Sequence, residues 1–197
     1  MKKVLFVLLD DFADWEGAFL ASALRAGVMP GRPGSYEVEY AAPGGREVRS
    51  IGGMTVTPDH GTAELPAACA ALVLIGGMSW NTPQAETIVP LVREALSRGI
   101  LVGAICNASA FLAAHGFLNN VKHTGNTPEL LREWGGAKYT GGNLYEERQA
   151  VRDGNIVTAN GTGYLEFTRE CLLWLEADTP ESVAASYEFN KHGFYRE

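Results

Sequence analysis

Two residues of this chain have the types and surroundings to do chemistry together, Cys106 and Glu16. Cys106 lies in RGILVGAICNASAFLAAHG, residues 98–116, where an apolar run stops at the thiol and small, helix-forming residues follow at once. That pattern predicts a buried strand, a sharp turn carrying the sulfur, and a helix. The helix would place unpaired N–H groups and the positive end of its dipole beneath the sulfur, favouring a thiolate and making Cys106 a candidate nucleophile. A small buried cysteine is also an ordinary core residue. Glu16 falls in the first turn of the helix expected after the first strand, at the same sheet edge. A carboxyl buried there would hold its proton and could share it with the thiol; the alternative is an acid simply preferred at a helix N-terminus.

Attack on a carbonyl-like carbon also needs donors for the oxyanion and a group that manages the proton. The donors expected are the Asn107 N–H and a backbone N–H from Gly76-Gly77, which end the strand before the long helix. Neither neighbour of Cys106 is a histidine. His123, in VKHTGNT, could fold back to the same edge, whereas His60, His115 and His192 read as solvated surface residues.

The elements that must position these groups alternate between short apolar runs and longer helical ones, the pattern of an α/β domain with a mainly parallel sheet. Strands are expected over residues 3–9, 36–42, 71–75 and 100–105, with a bent ribbon or hairpin around Gly52 and Gly53 and a strand pair around Asp153-Gly154. Helices are expected over residues 14–26, capped by Asp14 and stopped at Gly27, then 83–98, the stretch after Cys106, 164–175 and 181–189. Right-handed βαβ connection brings Gly76-Gly77 and Cys106 to one edge of the sheet, where ligands bind in open α/β folds.

Composition narrows the function. The 197 residues, 46% hydrophobic and 20% charged, suit one domain over residues 1–197 with a substantial core. A net charge of −7 without any basic tract argues against nucleic acid. The opening MKKVLFVLLDDF meets Asp10 and Asp11 after a short apolar run and reads as a strand, not a leader. No apolar segment is long enough for a membrane span, and the separated Cys69, Cys106 and Cys171 form neither a disulfide framework nor a metal-ligand spacing. A cytoplasmic location is expected, with Cys69 and Cys171 in the core.

VLFVLLDDFADWEGA, LVLIGG, GILVGAICNAS and NGTGYLEF together resemble the ThiJ/PfpI superfamily, related to class I glutamine amidotransferase domains, over most of the chain to about Leu175. The resemblance implies a flavodoxin-like three-layer sandwich, a nucleophile elbow at Cys106 and a homodimer. It makes Cys106 the reactive cysteine, Glu16 its hydrogen-bonding carboxyl, and Gly77 and Asn107 the oxyanion donors. Where many relatives carry a histidine, this chain has Asn107 and Asn126, and an asparagine cannot act as a base. Peptidase and glutaminase activity then depend on His123. Trp15 and Trp80 are expected to border a pocket for small ligands. Three readings follow: a cofactor-independent enzyme acting on small carbonyl electrophiles, an oxidative-stress sensor in which an oxidant modifies Cys106, and a non-catalytic binding dimer.

Overall fold

The computed structural model describes residues 1–193. In chain order its elements are β1 (Lys2–Val7), α1 (Asp14–Ala26), β2 (Tyr36–Ala41), β3 (Val48–Arg49), β4 (Thr55–Val56), β5 (Cys69–Leu74), α2 (Pro83–Glu86), α3 (Val89–Ser97), β6 (Leu101–Ile105) and α4 (Asn107–Ala114). They continue with α5 (Pro128–Gly135), β7 (Ala150–Asp153), β8 (Ile156–Ala159), α6 (Tyr164–Leu175) and α7 (Pro180–His192). Six strands form one sheet in the order β2-β1-β5-β6-β8-β7, parallel except for the β7–β8 hairpin; β3 and β4 form a separate antiparallel ribbon.

The central strands are apolar throughout because both faces of the sheet are covered. Val4 and Phe6 point into a core shared with α1 and α6, while Leu5 and Val7, one residue out of phase, point into a second core built with α3, α4 and α5. Three layers result, helices on both faces of a mainly parallel sheet. Among the described residues, no helix is long and apolar enough to cross a membrane.

Several local expectations are corrected. Asp14 is not the helix cap: Ala13 occupies that position without a side-chain bond, and the Asp14 carboxylate instead accepts from the Ser50 hydroxyl at 2.5 Å and the Gly52 N–H at 2.9 Å. The helix expected over residues 83–98 is two helices, because Pro90 has no N–H to give the preceding turn and begins α3 afresh. β1 ends at Val7, earlier than expected, although Leu8 and Leu9 remain buried. His115 is only partly exposed: its ring packs on Phe111 with centroids 4.7 Å apart, and its Nε2 lies 3.3 Å from the exposed Glu86 carboxylate. Trp80 does not border a pocket; it is buried in the core, donating to the Ile75 carbonyl at 2.7 Å and packing on Phe111 at 5.0 Å.

Candidate active site

Cys106 links β6 to α4 with φ 61° and ψ −129°, a conformation that residues with a side chain adopt rarely and hold only when the surroundings enforce it. Here the enforcement is visible. The Cys106 N–H donates to Ala159 of β8 at 2.9 Å, its carbonyl accepts from Ser109 N–H at 3.0 Å, and the Ser109 hydroxyl lies within hydrogen-bond distance of the Ala104 and Ala159 carbonyls. The expected elbow is present, with its sulfur at the carboxyl edge of the sheet.

Glu16, 1% exposed, reaches the same point from α1. Two glycines let the chain close around the pair. A Cβ on Gly76 would fall 2.3 Å from Glu16 Oε2 and 2.5 Å from Cys106 Cβ; one on Gly161 would fall 3.1 Å from both Cys106 Sγ and Glu16 Oε1. The carboxyl and the thiol are thus clamped between the loop after β5 and the loop after β8.

The polar surroundings form a directed chain. Gly161 N–H donates to Asn126 Oδ1 at 2.9 Å, so the Asn126 NH₂ must face the other way. It donates to Cys106 Sγ at 3.3 Å and to Asn107 Oδ1 at 3.1 Å, and Asn107 Nδ2 donates to the Gly77 carbonyl at 2.8 Å. The Asn107 N–H also faces the sulfur. Trp15, 45% exposed, covers the outer side, its indole N–H donating to the Gly161 carbonyl at 3.2 Å.

Burial lifts the Glu16 carboxyl to about 7, against the weaker pull of the Cys106 thiol and the Gly76 N–H. Neither carboxylate oxygen makes a hydrogen bond of full geometry, and this leaves desolvation dominant. The thiol is pushed up to about 11, first by burial and then by the Glu16 charge, while the Asn126 and Asn107 donors pull it down. The expectation of a thiolate favoured by the helix beneath it and the acid beside it is therefore corrected: desolvation and the Glu16 charge outweigh the donors and hold the sulfur protonated.

His123 is not brought to the thiol. It is fully buried, with Nδ1 2.8 Å from the Val121 carbonyl and Nε2 2.6 Å from the Tyr139 hydroxyl, so both ring nitrogens are engaged elsewhere. Cys69 and Cys171 are buried. Gly161 escaped the sequence reading although it lies in NGTGYLEF; an Asn-Gly pair reads as a turn, and nothing local signals that it lies over a cysteine far upstream. Beside Asn126 opens a polar cleft of about 790 Å³, bordered by Arg132, Tyr145, Arg148, Gln149 and Asn160.

Residues 2–173 match the DJ-1/PfpI family. A Bacillus subtilis (strain 168) protein named uncharacterized protease YdeA is 40% identical over 195 residues, which cover 99% of this chain and 94% of that one. Among solved structures, the DJ-1 superfamily protein Atu0886 from Agrobacterium tumefaciens has a TM-score of 0.87 at 36% identity, covering 98% of this chain and 100% of that one. The thiJ/pfpI family protein from Bacillus anthracis has a TM-score of 0.89 at 30% identity, covering 98% and 92% respectively. With agreement of this extent in both sequence and backbone, the chain belongs to the DJ-1/PfpI family.

Proposed function

We propose that the protein acts on small reactive carbonyls without a cofactor, Cys106 adding to an aldehyde carbon and Glu16 carrying the protons. The observation behind this reading is a buried carboxyl that ionises only near 7, packed against a thiol whose other side-chain neighbour is an amide unable to take a proton. A group that both gives and takes a proton near neutral pH suits such chemistry. With methylglyoxal, the Cys106 thiol gives its proton to the Glu16 carboxylate as the sulfur forms a C–S bond to the aldehyde carbon and the carbonyl π pair moves to oxygen. That oxygen takes the proton from Glu16, assisted by the Gly77 and Asn107 N–H groups. The Glu16 carboxylate then removes the C–H proton of the hemithioacetal to give an enediol and returns it at the neighbouring carbon, while the hydroxyl proton passes from the first oxygen to the second, leaving a thioester. Water cleaves that thioester to lactate and frees the thiol.

Relatives named as proteases suggest peptide hydrolysis as the rival. Expulsion of an amine needs a proton donor placed at the leaving group, and His123 has both nitrogens engaged elsewhere. The test is incubation with methylglyoxal, following its disappearance and the lactate formed. Turnover is expected, and it should vanish once Cys106 is capped with iodoacetamide. Turnover that survives capping, or no turnover at all, rejects the proposal.

Exposure favours a second reading, an oxidative-stress sensor, because Cys106 is partly exposed whereas Cys69 and Cys171 are buried. Attack of the sulfur on a peroxide breaks the O–O bond, leaving a sulfenic acid and releasing water. Mild peroxide should therefore add oxygen to the peptide containing Cys106; an adduct confined to Cys69 or Cys171 would contradict this. Partners on either reading are a small electrophile or oxidant and a second copy of the chain.

A further inference from the structure

Asn126 reaches the sulfur at the end of a segment anchored residue by residue. The His123 N–H donates to Leu144 at 3.2 Å and its carbonyl accepts from Glu146 N–H at 2.8 Å. Thr124 donates from its N–H to Thr158 Oγ1 and from its hydroxyl to the Arg148 carbonyl, both at 2.8 Å. The Gly125 carbonyl accepts from the Tyr145 hydroxyl at 3.3 Å.

At the root of the segment, the His123 ring has one allowed state. Nδ1 faces a carbonyl and must carry the proton, so Nε2 accepts from the Tyr139 hydroxyl. The Tyr139 and Tyr145 rings meet the imidazole edge-on at 5.6 and 6.0 Å, and burial holds its pKa below the usual histidine value. Such a ring is a strut. It neither donates to the active site nor accepts from it.

We propose that residues 123–126 are a positioning arm in which His123, locked between Val121 and Tyr139, holds the Asn126 amide on the Cys106 sulfur. The inference rests on Cys106 being the working nucleophile, and it assigns His123 a part in the reaction other than that of a base. The arm also forms one wall of the polar cleft, through Gly125 and Asn126. The amide it delivers stabilises the anionic sulfur, and a small displacement would forfeit that bond because hydrogen bonds weaken steeply with distance and angle.

The experiment is the pH profile of Cys106 alkylation by iodoacetamide, read by peptide mass, for the wild type, Asn126→Ala, Tyr139→Phe and the double variant. Glu16 is the titratable group facing the sulfur in all four. Asn126→Ala is expected to move the midpoint up by about one pH unit, a tenfold loss of thiolate at fixed pH. Tyr139→Phe should move it in the same direction by less, and the double variant no further than Asn126→Ala, since both changes act through one amide. Tyr145→Phe, which removes the Gly125 contact, substitutes for Tyr139→Phe should the latter fail to fold. Additive shifts, or a folded Tyr139→Phe with the wild-type profile, would overturn the arm. Carbonyl turnover plays no part in this readout, so a protein inert toward methylglyoxal but showing non-additive shifts would lose the proposed activity and keep the arm.

Discussion

Changing Gly76 to alanine is expected to destabilise the protein by about 3 kcal/mol or more, a large share of the roughly 5–15 kcal/mol that holds a domain of this kind together. The new Cβ would lie 2.3 Å from Glu16 Oε2, 2.5 Å from Cys106 Cβ and 2.6 Å from the Ile105 carbonyl oxygen. A side chain can sometimes swing away from such a contact, but Ile105 is paired with Ala159 in the β6–β8 ladder and cannot retreat without opening the sheet. The matching change at Gly161 sets the comparison. Its Cβ meets Cys106 Sγ and Glu16 Oε1 at 3.1 Å, a contact that a small shift relieves. Gly161→Ala should therefore fold with a loss nearer 1 kcal/mol while crowding the sulfur and slowing its alkylation. Urea midpoints separate the two: a Gly76→Ala protein with a wild-type midpoint would mean that the site is less tightly closed than the geometry requires.

What the sequence made legible is what neighbouring residues encode. An apolar run ending in Cys-Asn-Ala-Ser specifies strand, elbow and helix within ten residues, and the out-of-phase apolar residues of β1 announce two cores because both faces of that strand are buried. Parallel topology, which sends the strands' carboxyl ends to one edge, brought Glu16 and Gly76-Gly77 to that edge as candidates, and the family resemblance implied that the Glu16 carboxyl is the partner of Cys106. Legibility failed where a contact joins distant segments or where two physical effects oppose each other. Asp14 has the residue type of a cap, yet its carboxylate is drawn to Ser50 and Gly52 across the ribbon. Trp80 is large enough to wall a pocket and is buried on Phe111 instead. Gly161 lies against Cys106 from a loop far along the chain. The ionisation of Cys106 depended on the size of a desolvation that only packing around it could set.

That desolvation makes Glu16→Gln the most discriminating substitution, because it retains the shape of a protonated carboxyl and removes its titration. Carbonyl turnover should fall by about 10²- to 10⁴-fold, the usual contribution of a positioned acid-base group. Stability should move the other way. In the unfolded chain this carboxyl ionises near 4.5, and in the fold only near 7, so across that interval the native state keeps a proton that the unfolded chain has released. Wild-type stability is therefore full below the lower value, falls as pH rises through the interval, and is lowest above about 7. A rise of that size corresponds to about 3 kcal/mol. Glutamine has no proton to lose, so melting measured from about pH 5 to about pH 8 should show a falling wild-type curve crossing a flatter variant curve, with the less active protein the more stable one at the alkaline end. A wild type with no slope in this range, or a glutamine variant weaker than it at about pH 8, would refute the raised carboxyl. The thiol adds a third reading of the same change. With the Glu16 charge gone, one of the two main forces holding Cys106 near 11 disappears, and its alkylation midpoint should fall. A more readily ionised sulfur in a nearly inactive protein would place the contribution of Glu16 in carrying protons to and from the substrate, since its removal would have made the nucleophile easier to form.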